Sequence, residues 1–334
     1  MRRPTAVMAK ALGGALTALL CVAGPARAAD PGLSIPTVTE ASDLRRGNVL
    51  FYNVMTSNGL DPSSEDTRLT LTNHSAQNAR FVRLFFVEGA SGLVASSFLC
   101  LTAEQTASFQ ASDLLPGFRG YMVAVQIDPI NGCPQGDASG GFGTGFLSGQ
   151  AHVKSGIYQG TLPAVAATAL FNGTMPGCDL NSTTTSLQFN GILSSGYTRL
   201  PRMLQIDNIG APTDGERTLV VLNRTTGDLG ASGVTSLGPL AGTLFDNAGT
   251  ALPFTRSPGG AQLFRELDNK FPKTTPKFRT AIPSGQTGWA KLNLVGDFPI
   301  LGAAFFRPGG AVNLRARTLS SSGGFTMPVD PPSC

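Results

Sequence analysis

The sequence predicts an all-β protein: two tandem antiparallel β-sandwich domains with Gly/Pro-rich loops and at most one short helix. Three observations predict it. Gly and Pro are abundant, 41 and 23 of 334 residues, a density that interrupts helices and supplies turns. Short apolar runs follow one another at the rhythm of a sandwich or barrel. The second half also repeats the first in outline, as two units and not as a solenoid of small repeats. An apolar fraction of 41% against a charged fraction of 14% excludes a disordered chain.

The elements read in order. Asn48 to Val54 is apolar with little alternation (Val49, Leu50, Phe51, Tyr52, Val54), the pattern of a buried strand. Asn58-Gly59 and Asp61-Pro62-Ser63 form a loop. Thr67 to Thr72 alternates, with Leu69 and Leu71 on one face. Arg80 to Val87 is a strong strand turned by Gly89 to Gly92, and Leu93 to Leu101 and Thr106 to Gln110 follow it. Pro116-Gly117 leads into Gly120 to Ile127, with Tyr121, Val123, Val125 and Ile127 on one face. Residues 128–149 are Gly-rich and read as a long surface loop. The Ala-rich stretch 162–171 is expected to form a short helix with Pro163 in its first turn. Residues 172–197 read as a linker with one or two strands.

The second half echoes the first. Met203-Leu204-Gln205-Ile206 is a strand followed by a Pro212-Thr213-Asp214-Gly215 loop. Thr218-Leu219-Val220-Val221-Leu222-Asn223 mirrors Arg68-Leu69-Thr70-Leu71-Thr72-Asn73. Ile282-Pro283-Ser284-Gly285-Gln286-Thr287-Gly288-Trp289 mirrors Leu115-Pro116-Gly117-Phe118-Arg119-Gly120-Tyr121. The expected division is a signal peptide over 1–28, an N-terminal segment over 29–43, a first sandwich over 44–160, a linker over 161–200 and a second sandwich over 201–334.

Export is expected from the N-terminus. Arg2 and Arg3 are followed by an apolar stretch from Ala11 to Ala23, and Ala26-Arg27-Ala28 places cleavage after Ala28. Lipidation at Cys21 is disfavoured by the bulky Leu20, and the flanks of Arg2-Arg3 match a twin-arginine signal poorly. No later stretch is long and apolar enough to span a bilayer. Four of the 25 basic residues (Arg2, Arg3, Lys10 and Arg27) lie in that segment; the rest equal the 21 acidic ones, so the mature chain is neutral. A neutral chain without a basic run excludes counterion-driven nucleic-acid binding and polybasic membrane attachment. Cleavage also removes Cys21 and leaves Cys100, Cys133, Cys178 and Cys334, an even number that reads as disulfides in an exported chain. Three connectivities exist. Cys100–Cys133 is preferred, both being at ends of expected strands in one domain, which leaves Cys178–Cys334. No two cysteines have metal-ligand spacing and neither histidine is near one.

Several segments together resemble a family of uncharacterised secreted bacterial proteins with tandem β-sandwich (Ig-like) modules. They are Phe98-Leu99-Cys100-Leu101-Thr102, Gly120-Tyr121-Met122-Val123-Ala124-Val125, Asn131-Gly132-Cys133-Pro134, Pro201-Arg202-Met203-Leu204, Phe271-Pro272-Lys273-Thr274-Thr275-Pro276, Gly288-Trp289 and the Cys-terminated tail. The resemblance runs from about Asn48 to Cys334. It implies a paired Cys100 and Cys133 and no catalytic residue. Gly288-Trp289 followed by Pro299-Ile300-Leu301-Gly302 also resembles sandwich modules of bacterial surface proteins.

Candidate chemistry is sparse. Gly136-Asp137-Ala138-Ser139-Gly140-Gly141 resembles a trypsin-type nucleophile motif, but Ala138 displaces the serine from the backbone donors an oxyanion needs. The only upstream histidine, His74, lacks the usual flanks. His74 and His152 are too few for a zinc site and read as ordinary surface or strand residues. Asp61, Glu65 and Asp66 cluster in one loop, and Asp207, Asp214 and Glu216 occupy the matching loop of the second half. Turn and solvation roles come first there, ahead of a weak Ca²⁺ site or glycosidic acid–base pair; Asp128, Asn131 and Asp137 make a weaker case. Gly141-Phe142-Gly143-Thr144-Gly145-Phe146 lacks the βαβ context of a nucleotide loop, and Phe142 and Phe146 are expected to tack it to the core. Tyr121 and Trp289, matched at strand starts, are expected to be repeated core anchors in preference to a sugar-stacking platform. Asn73, Asn172, Asn181 and Asn223 open Asn-x-Ser/Thr sequons and read as polar loop residues.

The expected function is therefore negative in its argument: no nucleophile–base pair, ligand cluster or cofactor motif. It is an exported, non-enzymatic protein, without cofactor, with a structural or adhesive role at the cell surface or in the extracellular matrix. The alternative is an extracellular ligand- or glycan-binding module, possibly Ca²⁺-assisted. The expected partner is an extracellular or cell-surface protein or glycan, with no nucleic acid and no transmembrane segment after cleavage.

Overall fold

The computed structural model describes residues 40–137 and 145–333. The chain runs through β1 (Val49–Thr56), β2 (Glu65–Asn73), β3 (Arg80–Glu88), β4 (Val94–Leu101), β5 (Thr106–Gln110), α1 (Ala111–Leu114) and β6 (Arg119–Ile127). It continues through β7 (Gln135–Gly136), β8 (Leu147–Ser155), β9 (Tyr158–Pro163), β10 (Val165–Ala167), β11 (Gly173–Thr174) and β12 (Thr184–Gln188). The second half comprises β13 (Pro201–Gly210), β14 (Arg217–Arg224), β15 (Gly227–Asp228), β16 (Leu240–Phe245), β17 (Ala251–Arg256), β18 (Gln262–Glu266) and α2 (Phe278–Ala281). It ends with β19 (Thr287–Leu294), β20 (Ile300–Arg307), β21 (Ala311–Asn313), β22 (Arg315–Leu319) and β23 (Gly324–Pro328). The fold is all-β, with two short helices where at most one was expected. The described residues group as one compact unit.

The repeat is real at the level of strand order. The first half forms a five-stranded sheet β10-β1-β6-β3-β4 and a four-stranded sheet β5-β2-β8-β9. The second half forms β22-β13-β19-β16-β17 and β18-β14-β20-β21, the same two orders. Even the irregularity recurs: the β1/β6 register shifts between Tyr52 and Met55, and the β13/β19 register shifts between Ile206 and Ile209. A bulge kept at one position of both repeats is a built feature of the strand. Each repeat also places its short helix just before the central strand, α1 before β6 and α2 before β19.

Packing explains the apolar patterns. The five-stranded sheet of the first repeat is covered on both sides. Leu50, Tyr52, Val54, Leu84, Phe86, Met122 and Ala124 face the four-stranded sheet, where they meet Leu69, Leu71, Ala151 and Val153. Val49, Phe51, Phe85, Val87, Tyr121, Val123 and Val125 face the other way, into a second core. That core is closed by a small sheet, β12-β23-β15, and by Phe189, Tyr197 and Phe325. Rings stack edge-on there, Phe51 against Phe189 at 5.5 Å and Phe171 against Tyr197 at 5.4 Å. Strands buried on both faces must be apolar throughout, which is why β1 barely alternates.

The Ala-rich stretch is strand, not the expected helix. Leu162, Ala164 and Ala166 point into one core and Val165, Ala167, Ala169 and Phe171 into the other. This period of two, set by two cores, overrides the helix propensity of alanine. Residues 161–200 thereby contribute β10, β11, β12 and buried side chains such as Leu170, Phe189 and Tyr197. The expected surface loop at 128–149 is partly interior too, since Cys133 and Asp137 are buried.

The expected cysteine pairing is corrected. Cys133 bonds Cys178, across a separation of 45 residues, so neither Cys100–Cys133 nor Cys178–Cys334 forms. The cause is the two-residue ribbon β7–β11, which pairs Gln135 with Thr174 and sets the two cysteines side by side. Closing a loop of that length contributes ~4 kcal/mol in the chain-entropy picture. Cys100 is itself disulfide-bonded, and Cys334 lies outside the described residues.

The repeats meet through the four-stranded sheet of the second. Leu219, Val221, Ala303 and Phe305 on its outward side join the first repeat's core. Bringing the β1 bulge inside strands its polar groups away from water, and amides from the second repeat meet them. Asn223 Nδ2 donates to the Asn53 carbonyl at 2.8 Å and to Asn53 Oδ1 at 3.2 Å. Gln262 Nε2 donates to Asn223 Oδ1 at 2.8 Å and to the Gly120 carbonyl at 3.0 Å. Asn53 Nδ2 donates onward to the Gly302 carbonyl at 3.1 Å and to Asn313 Oδ1 at 2.9 Å. The Tyr121 hydroxyl donates to the Arg224 carbonyl at 2.7 Å.

Replacing Asn223 with Ala removes the donor to Asn53 Oδ1 in the interior and leaves the Asn53 carbonyl with only the longer bond from Gln262 Nε2, at 3.4 Å. The expected loss is ~1–3 kcal/mol, the cost of one orphaned buried group. Urea unfolding measures it, with the exposed Asn172→Ala as a control expected within about 0.5 kcal/mol of the parent.

Candidate functional site

Among the described residues, no third layer like that of the first repeat covers the second. Its five-stranded sheet packs Leu204, Ile206, Leu244, Ala290, Leu292 and Leu294 against the four-stranded sheet. The opposite face carries Met203 and Gln205 from β13, Ala241, Thr243 and Phe245 from β16, and Trp289, Lys291 and Asn293 from β19. These are cross-strand partners: Met203 with Asn293, Gln205 with Lys291, Lys291 with Thr243, and Trp289 with Phe245. Arg315 of β22 stands opposite Gln205.

The register equates this face with a buried one. Val49 pairs Val125, Phe51 pairs Val123, Val123 pairs Phe85 and Tyr121 pairs Val87 in the first repeat. The same ladder positions in the second repeat hold Met203, Asn293, Gln205, Lys291, Thr243, Trp289 and Phe245. Seven apolar or aromatic positions buried under a third layer have thus become an amphipathic surface. The sequence of β19 shows the change: its burial alternates along the strand, whereas β6 is buried almost throughout.

Trp289 therefore corrects the expectation of a repeated core anchor. Tyr121 is buried as expected, only 1% exposed. Trp289 is half-buried on the open face and stacks on Phe245, centroids 3.9 Å apart and planes 6° from parallel. The Lys291 ammonium lies 5.1 Å from the indole centroid and 5.5 Å from the phenyl centroid, within reach of a cation–π attraction. Beside the rings is an open groove of about 440 Å³, lined by Met203, Ala241, Gly242, Thr243, Pro253, Phe254, Thr255, Lys291 and Asn293. That volume lies in the range of small-ligand sites. Gly242 points to the core side of β16, where a Cβ would collide with the Phe254 ring. Gln205 is 5% exposed and donates Nε2 to Asp207, while its Oε1 has no hydrogen-bond partner. Asp207 is further engaged by Arg315, 3.6 Å away.

The other sequence candidates do not converge. His74 Nε2 lies 2.6 Å from Ser148 Oγ, and burial, with the nearby Arg46 charge, lowers its pKa. His152 Nδ1 lies 3.0 Å from Thr161 Oγ1. Ser139 and Phe142 are outside the described residues. Asp137 is a buried partner of Arg80, at 3.2 Å, and of Asn48, at 3.3 Å. Burial raises the Asp137 pKa against the lowering pull of Arg80. Phe146 lies under the Arg80 guanidinium at 4.4 Å, as a tack to the core should.

The acidic loops are occupied by their own neighbours. The Asp61 carboxylate accepts from Ser63 and its backbone carbonyl from Ser64, and Asp66 accepts from Ser112 and the Thr67 amide. Asp214 accepts from Ser284 and the Gly285 amide. Asp128 caps its own turn through the Ile130 and Asn131 amides. Among the described residues, no three of His, Cys, Asp and Glu come together in a metal-binding group. Of the sequons, Asn73 and Asn223 are buried with their amides spent on neighbours, and Asn172 and Asn181 are exposed. No helix among the described residues is long and apolar enough to cross a membrane. Compared with known proteins, the chain matches no family model, no curated sequence and no solved structure.

Two outcomes are expected. The chain has a single tryptophan, so acrylamide should quench native Trp289 emission readily; a blue-shifted emission that resists quenching contradicts the open face. Glu65 accepts from Thr56, Arg119 and Ser155. Burial raises its pKa, but the Thr56 and Arg119 hydrogen bonds outweigh that and hold it below the usual value. A depressed folded pKa gives stability that is present above the unfolded value of ~4.3 and lost as pH falls through the folded one. Urea midpoints of the parent and Glu65→Gln should differ at neutral pH and converge on acidification.

Proposed function

We propose that this is an exported, non-catalytic β-sandwich protein with a structural or adhesive role at the cell surface or in the extracellular matrix. The open face of the second repeat's five-stranded sheet makes its contact. One observation carries the reading. The positions that the first repeat buries under a third layer are, in the second repeat, an uncovered surface with a stacked aromatic pair and a cation. Both sandwiches need one covered face to fold, and only one of them uses its second face for packing. The leftover face is rigid, since every strand in it is hydrogen-bonded to neighbours and packed from beneath, and rigid elements hold contact residues best. The separate engagement of His74, His152 and the loop carboxylates supports a non-catalytic reading.

A second reading, an extracellular glycan- or ligand-binding module, is favoured by the groove beside Trp289. The two readings share a surface and differ in what fills it.

The test is attachment. Cells producing the parent or the Trp289→Ala/Lys291→Ala variant are fractionated, and circular dichroism establishes that the variant is folded. The expected result is at least a tenfold shift of the variant from the cell-attached to the free fraction. Equal attachment of both proteins overturns the reading.

A further inference from the structure

We propose that the groove on this open face binds an acidic sugar, a uronic-acid-type unit of a surface or matrix polysaccharide. The inference rests on the open face being the contact surface and names the chemistry it selects.

The first argument is charge. Lys291 is the sole charged side chain lining the groove. It is half-buried, and among the described residues no carboxylate lies within ion-pair distance of it. Asp207 of β13 is engaged by Gln205 and Arg315. A partly desolvated ammonium compensated only by ring faces gains from an added anion, because charge-assisted hydrogen bonds strengthen as water is excluded. A ligand carboxylate supplies that anion.

The second argument is the mixture of surfaces. A sugar ring presents apolar C–H groups beside hydroxyls. Thr243, Thr255 and Asn293 line the groove, and the Trp289–Phe245 pair stands next to it on the same strands, under the Lys291 ammonium. Side chains of this kind serve ligands that are apolar on one face and hydrogen-bonding at the rim.

The third argument is an unspent acceptor. Gln205 stands in register with Lys291 and is almost wholly buried, yet its Oε1 accepts nothing. Buried acceptors are normally paired. A ligand hydroxyl that reached this oxygen would supply the donor it lacks. The arrangement pairs one missing anion with one missing donor, and a hydroxy-acid carries both.

Other occupants fit less well. Nucleic acid needs several cations to displace its counterions, and this groove has one. A neutral sugar would satisfy the rings and Gln205 but leave Lys291 without an anion.

The experiment is calorimetric titration of the purified mature protein with oligogalacturonate, with its methyl ester, and with a neutral glucan oligomer. The expected result is binding of the free acid at least tenfold tighter than of the ester or the glucan, weakening as salt rises. Lys291→Met should remove that preference, Trp289→Ala should abolish binding, and the remote Lys270→Met should change neither. Equal binding of acid and ester, or an unaltered preference in Lys291→Met, overturns the acidic-sugar assignment. The attachment assay separates the two ideas. If Trp289→Ala/Lys291→Ala detaches the protein from cells while no oligogalacturonate binds, the contact surface stands and the ligand class falls. If the variant stays attached, the contact surface falls as well.

Discussion

A buried amide junction is the condition on which the two repeats share one core. The bulge of β1 carries Asn53 into the space between the repeats. Its carbonyl and side chain are there cut off from water. Asn223 and Gln262, from neighbouring strands of the second repeat, complete them and one another. An apolar side chain in either place would leave orphaned polar atoms in the interior, at a cost comparable to a large part of a domain's net stability. Asn73 holds the matching place in the first repeat, and there it serves its own loop, donating to the Asn78 and Thr102 carbonyls. One residue type at one ladder position thus closes a loop in one repeat and joins the repeats in the other.

Docking in this way fixes how many faces are left. The first repeat's five-stranded sheet is enclosed by its sandwich partner and by the β12-β23-β15 layer. The second repeat's four-stranded sheet is enclosed by its own partner and by the first repeat. Among the described residues, nothing covers one face of the second repeat's five-stranded sheet. Charged and polar side chains among aromatics make that face soluble without making it inert. A stacked indole and phenyl, a half-buried ammonium and an unpaired amide oxygen are features that a purely solvated sheet face does not need.

Much of this was legible in the chain. The continuous apolar run at Val49–Val54 and the alternation at Leu69 and Leu71 give β1 and β2 directly, because burial on both faces or on one writes a different pattern. The echo of Arg68–Asn73 in Thr218–Asn223 locates the repeat. Trp289 was misread because the Gly-aromatic start of β19 resembles that of β6. The signal lay two and four residues further on: Lys291 and Asn293 stand where β6 has Val123 and Val125, so the face could not be core. The strand over 162–171 was hidden by alanine, whose local preference is helical while its small size suits two opposed cores. The Cys133–Cys178 bond was not legible at all. It follows from the pairing of two two-residue strands, too short to carry a period.

The central claim is that this one face makes the protein's contact. Hydroxyl-radical footprinting of the protein on its native surface, compared with the free protein, tests it most directly. The account predicts protection of Met203, Phe245 and Trp289 in the attached state, with the outer face of the first repeat's four-stranded sheet labelled equally in both. Full labelling of those three side chains in the attached state, with protection elsewhere, would contradict it.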